Sequence, residues 1–167
     1  MKLNNRQIER IIMQKIFKVI GAILLCEAVG GLGAIATTPN ISTWYATLNK
    51  PVFSPPSWLF GPAWTLLYAL MGIALFLIWE SKAKNKTTAY MYFYIQLFLN
   101  LLWSFIFFYF KLPLSAFIEI VALWGFILAT IAVFTRISKP AGWLLVPYVL
   151  WVTFASTLNF AVWWLNR

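Results

Sequence analysis

A chain of 167 residues that is 62% apolar and 19% aromatic but only 10% charged has the composition of a membrane protein. Its net charge of +9 would suit nucleic acid, yet the basic residues form no stripe interleaved with exposed aromatics, so nucleic-acid binding is excluded. The chain has no histidine, and its four acids, Glu9, Glu27, Glu80 and Glu119, share no spacing suited to a carboxylate pair or a metal cage. That removes the commonest general base and zinc ligand together, and neither a metal site nor a required cofactor is expected.

Five apolar runs approach the ~20 residues needed to cross a hydrocarbon core. The expected fold is therefore all-α, a single transmembrane domain over 1–167 with helices at about 16–37, 61–79, 87–110, 113–134 and 141–165 and one long outer loop at 38–60. The first run is too long, and too poorly supplied with a cleavage site, for a removed signal peptide, so it reads as a permanent helix. Lysine and arginine sort by loop: Lys2, Arg6, Arg10, Lys15, Lys18, Lys82, Lys84, Lys86, Arg136 and Lys139 fall on one side, and Lys50, Lys111 and Arg167 on the other. The positive-inside rule then places the N-terminus in the cytoplasm of a multi-pass cell-membrane protein, with the C-terminus and the long loop outside.

The first dozen residues alternate charge with Ile8, Ile11 and Ile12, which fits either a short amphipathic helix on the inner interface or a solvated leader. In the first span Gly30, Gly31, Gly33 and Ala34 form a smooth face that favours close helix packing, the alternative being a ligand-facing role. Cys26 and Glu27 fall near the bilayer midplane, where a carboxyl is either a functional candidate or a hydrogen-bonded structural group. Between Thr38 and Phe60 lies a long connection, and connections of that length usually carry function.

That connection runs into KPVFSPPSWLFGPAWTLLY, Lys50 to Tyr68. Pro51, Pro55 and Pro56 bar helix and central strand until Gly61 and Pro62, and proline suits a first helical turn. Phe53, Trp58, Phe60, Trp64 and Tyr68 are strung along this segment like a pocket's roof and one wall, the alternative being an interfacial aromatic belt. Gln96, Asn100 and Trp103 make one polar stripe on the third helix, read as ligand-facing or as interhelical glue. The fourth helix carries Glu119 and Trp124 and reads as packing. In the fifth, Pro147 predicts a kink, and Trp151, Ala155 and Asn159 follow at i+4 spacing, a small residue between two larger ones. Depth counting brings Trp64, Tyr68, Asn100, Trp103, Trp151, Ala155 and Asn159 beneath the loop. Such a cavity suits a flat, hydrophobic, conjugated molecule.

The runs KPVFSPPSWLFGPAWTLLYALMG, QLFLNLLWSFIFF and PYVLWVTFASTLNFAVWWLN resemble the translocator protein family, also called tryptophan-rich sensory proteins or peripheral benzodiazepine receptors (TspO/MBR). The resemblance implies a five-helix bundle, usually a homodimer in the lipid bilayer, that binds porphyrin-type tetrapyrroles and drug-like hydrophobic ligands. It implies a pocket lidded by Tyr45 and the loop prolines, Pro55 among them, and walled by Trp64, Tyr68, Gln96, Asn100, Trp151 and Ala155. Phe53 replaces a frequent tryptophan. At Phe160 and Trp164 the chain lacks the tyrosine and basic residue of the animal cholesterol pattern, which argues against sterol binding and for a bacterial type of member. The expected function is a receptor, sensor or carrier for porphyrin. The rival is a light- and oxygen-dependent porphyrin-degrading enzyme with Trp64 and Trp151 as catalytic groups and porphyrin as substrate. A transporter built on inverted repeats finds no support in the sequence, and a plain structural membrane protein is the remaining alternative.

Overall fold

The computed structural model describes residues 4–167, so Lys2 lies outside the described residues. These form α1 (Asn5–Ile41), α2 (Trp44–Thr47), α3 (Phe60–Glu80), α4 (Thr87–Ser104), α5 (Pro113–Ile137), α6 (Lys139–Trp143) and α7 (Val146–Leu165). A 3-10 turn over Ser57–Leu59 leads into α3, and a π turn over Phe105–Tyr109 ends α4. Five stretches are long and apolar enough to cross a membrane: Asn5–Ile41, Ser57–Glu80, Thr87–Tyr109, Pro113–Ile137 and Lys139–Leu165. The protein is an all-α membrane bundle.

Several boundaries differ from the hydropathy reading, each for a local reason. From Asn5 onward the N-terminal residues belong to α1 rather than to a separate helix, because no proline or glycine interrupts the chain between Asn4 and Gly21 and α1 runs straight through. Asn4 N–H donates to Gln7 Oε1 at 3.1 Å and closes the first turn. At ~1.5 Å per residue α1 reaches ~55 Å, well beyond a ~30 Å hydrocarbon core. It also continues past Pro39, where Asn40 Nδ2 donates to the Ala36 carbonyl at 2.9 Å and Thr43 Oγ1 to the Pro39 carbonyl at 2.8 Å. After Pro56, Leu59 N–H reaches the Pro56 carbonyl at 3.0 Å, so helical structure starts one turn earlier than Gly61.

The last turn of α4 widens, with Phe110 N–H bonding the Phe105 carbonyl at 2.9 Å and Leu112 N–H the Ile106 carbonyl at 3.1 Å. Lys111 reverses the chain with φ 58°, a left-handed conformation uncommon for a residue with a side chain. In the fifth span the kink expected from Pro147 is a break at Leu144 and Leu145, which leaves the proline in the first turn of α7, where its missing N–H costs nothing.

Around the bundle α1 packs between α3 and α4, and α5 between α4 and α7. The ring closes where α3 meets α6, at the end bearing Lys82–Lys86. α1 and α3 approach closely at Gly72, where an added Cβ would lie 2.8 Å from the Ile23 backbone nitrogen. Lys18 Nζ pairs with Glu80 at 2.7 Å across the same seam. Phe93 and Phe134 stack at 5.6 Å between α4 and α5, and Trp124 Nε1 donates to Thr153 Oγ1 at 2.8 Å between α5 and α7. At the other end, Asn166 Nδ2 donates to the Asn49 carbonyl and Asn49 N–H to Asn166 Oδ1, both at 2.9 Å, and this bracket pins the loop onto the end of α7.

Candidate ligand-binding site

α3 packs its backbone closely on α6, and where it faces α7 the space between the two helices is lined by aromatic side chains. The result is a cavity of about 330 Å³ bounded by α1, α3, α7 and the π turn, with Tyr45 of α2 as its roof. That volume falls in the ~300–1,000 Å³ range of small-molecule sites. Trp64 and Trp151 face each other edge-on at 6.5 Å and 85°, and Phe60 meets Trp151 at 6.2 Å. Tyr45 packs on Phe107 and Phe108 at 6.1 and 5.8 Å, contacts the widened π turn makes available. Phe107 in turn stacks on Trp103 at 5.2 Å. Tyr45 is 4% exposed, and its hydroxyl has no hydrogen-bond partner, the Ser54 side chain standing nearby but outside bonding geometry. Burial pushes this phenol's pKa above the ordinary tyrosine value.

Seven of the residues singled out in the sequence reach the cavity wall: Tyr45, Trp64, Tyr68, Trp103, Trp151, Ala155 and Asn159. Four do not. Asn100 is 3% exposed and occupied by two phenols: Tyr68 Oη donates to its Oδ1, and its Nδ2 donates to Tyr148 Oη at 2.8 Å. It thereby fixes the two tyrosines that flank Trp64 at 5.6 and 6.2 Å. Gln96, a turn further from the loop, is 1% exposed with Nε2 3.9 Å from Met71 Sδ, closed off from the cavity by the packed core. Trp58 is 72% exposed, because the 3-10 turn carrying it points its ring away from the bundle, and Pro55 lies along the loop outside the wall. The loop proline and Trp58 fit the interfacial-belt alternative better than the roof. Asn159 is on the wall, but its amide is engaged: Oδ1 accepts from Trp103 Nε1 at 3.0 Å and Nδ2 donates to the Pro113 carbonyl at 2.8 Å.

The small residues of α1 serve both packing and the cavity. Gly30, Gly31, Gly33 and Ala34 line the cavity, and Gly30 and Gly33 also let α1 approach α3 and α4 closely. A Cβ on Gly30 would collide with the Tyr68 ring, and one on Gly33 would come 3.1 Å from Ser104 Oγ. Phe60, read as part of the pocket's roof and wall, also lines the cavity, whereas residues that sequence reading did not place in the site are Glu27, Thr38 and Ile41 on α1, with Phe107 and Phe108. A signal for the first three was present, since Glu27, Gly30, Gly31, Ala34, Thr38 and Ile41 recur at three- and four-residue steps along one helix face. Chemically, the cavity offers stacking surface, a few neutral polar groups and one carboxyl. Among the described residues there is no cluster suited to a metal ion.

Comparison with known proteins supplies the family. The model of the TspO/MBR family matches residues 22–165. The chain is 46% identical over 151 residues to the tryptophan-rich protein TspO of Archaeoglobus fulgidus, covering 90% of this chain and 98% of that one. It is 38% identical to the tryptophan-rich sensory protein of Cereibacter sphaeroides, covering 86% and 91%. It is 34% identical to the translocator protein of Bos taurus, covering 89% of each. The match runs through every element that builds the cavity, and the chain belongs to the TspO/MBR family.

Proposed function

We propose that this membrane protein binds porphyrin-type tetrapyrroles, and other flat hydrophobic ligands of drug-like size, in the cavity beneath the loop, as a receptor, sensor or carrier. The observation that carries the reading is the pair Trp64 and Trp151, brought from α3 and α7 to meet edge-on at 6.5 Å in an aromatic-lined cavity. Offset and edge-to-face ring contacts each contribute roughly 0.5–1.5 kcal/mol beyond area, so a broad conjugated ring gains more here than a small ligand. The names of the relatives agree with sensing and translocation. Cell-membrane placement with a cytoplasmic N-terminus, and assembly as a homodimer, belong to the same proposal. Cholesterol does not, given Phe160 and Trp164.

The enzymatic reading rests on the same two indoles. A bound, photoexcited porphyrin lies against the side chains easiest to oxidise, with dioxygen as the terminal oxidant, and the ring would be broken down. One experiment covers both readings. Protoporphyrin is titrated into the detergent-solubilised protein in the dark and then illuminated, with tryptophan fluorescence and the Soret band followed together. Dark quenching that saturates supports binding, and its absence overturns it. Trp64→Phe with Trp151→Phe keeps flat apolar rings and should hold dark affinity within about tenfold, ~1.4 kcal/mol. Light-dependent loss of the Soret band that vanishes in this variant supports chemistry, and loss that persists unchanged at saturating porphyrin contradicts it.

A further inference from the structure

Glu27 lies halfway along the apolar stretch of α1, about ten residues or ~15 Å from either end of Ile16–Thr37. Among the described residues lining the cavity it is the one charged side chain, and it has no hydrogen-bond or ion-pair partner there. The titratable groups near it are the buried thiol of Cys26 on its own helix and the phenol of Tyr68 on α3, neither of which brings positive charge. Glu80 and Glu119 differ. Glu80 is held by Lys18 at 2.7 Å and Lys15 at 4.0 Å, at the lysine-rich end of the bundle. Glu119 has both oxygens shut in and does not line the cavity. Of the acids within the apolar stretches Glu27 alone is unpaired and reachable: it lines the cavity, and one turn further on, a Cβ on Gly31 would meet nothing.

An unpaired carboxyl inside a membrane is costly, and the cost falls when a positive or hydrogen-donating group comes beside it. The fold brings no cation there, and the Tyr68 phenol already donates to Asn100, but a ligand in the cavity can supply such a group. We infer that Glu27 makes this cavity selective by ligand charge: it favours flat apolar molecules that bring a basic nitrogen or an N–H donor to mid-depth and disfavours those that bring a carboxylate there. The inference rests on reading the cavity as a site for flat ligands and adds the chemical class it prefers. A charge-assisted N–H···O contact in low dielectric is stronger than a neutral one, so the selectivity is large enough to measure.

Three fluorescent probes of one shape isolate the charge: 9-aminoacridine, a cation at neutral pH, 9-methylanthracene, which is neutral, and anthracene-9-carboxylate. Each is titrated against the full-length detergent-solubilised chain and against its isosteric variant Glu27→Gln. The expected order in the wild type is cation, then neutral, then anion. The substitution should cost the cation about tenfold or more, consistent with loss of a charge-assisted bond, while the neutral probe stays within about threefold and the anion gains. A cation whose affinity changes no more than that of the neutral probe overturns the inference and leaves the cavity as a charge-blind site. Parallel loss of neutral and cationic probes in Glu27→Gln also overturns it, since the carboxyl would then be holding the wall. Failure of the neutral probe to bind wild-type protein overturns the flat-ligand reading itself, and the inference with it.

Discussion

At Asn100 three helices exchange hydrogen bonds in apolar surroundings, with Tyr68 donating to its oxygen and its amide donating to Tyr148. Replacing it with alanine strands two buried phenols at once. An unsatisfied buried polar group costs roughly 1–3 kcal/mol, so Asn100→Ala should lower unfolding stability by at least that much in a chemical or thermal melt. An unchanged melt would mean that the phenols find other partners. Because Asn100 fixes the rings around Trp64, porphyrin affinity should fall as well, although the side chain touches no ligand. The stripe of Gln96, Asn100 and Trp103 was legible, since polar groups at membrane depth must find partners inside the bundle. Its partner was not: Tyr148 belongs to another helix, and cross-helix hydrogen bonds leave no periodic trace. Trp58 shows the same limit from the other side. A tryptophan in a proline-rich loop reads equally as a lid or as an interfacial ring, and only the direction of the 3-10 turn decides.

The five spans themselves were readable from length and apolarity, and so was the interruption before Pro147. The exact ends were not, because hydropathy records what a lipid would accept while helix ends follow backbone hydrogen bonding. α1 therefore runs into its charged beginning and past Pro39, and α4 finishes in a π turn that no composition signals. That π turn sets Phe107 and Phe108 against Tyr45, so an unreadable backbone detail shapes the roof. Orientation belongs to this scale. Ten basic residues flank one side of the spans and three the other, which predicts that the loop between α1 and α3 faces out. In a Cys26→Ala background, an impermeant thiol reagent applied to intact cells should label Ser42→Cys and spare Lys84→Cys, both positions being exposed. The reverse labelling would invert the topology.

For the molecule as a whole, the cavity comes from how the ring of helices closes. α3 packs against α6 at the lysine-rich end, the Asn49–Asn166 bracket ties the loop to the opposite end of α7, and the aromatic rings fill the interval without closing it. Convergence of Trp64, Trp151 and Ala155 could be anticipated by counting depth along each span. The contribution of α1 was harder to read, since a run of glycine and alanine serves for close packing or for a bare wall, and here Gly30 packs on the Tyr68 ring while Gly31 is open. Ala155 offers the most direct test, because it lies on the wall between Trp151 and Asn159 and a larger side chain there fills the space the ligand would need. Dark titration of protoporphyrin should show Ala155→Leu binding weaker than wild type by about 1–3 kcal/mol, roughly fivefold to 150-fold. Ala122→Leu, on the exposed face of α5, should bind as wild type does. Equal affinity in Ala155→Leu, Ala122→Leu and wild type would contradict the placement of the ligand in this cavity.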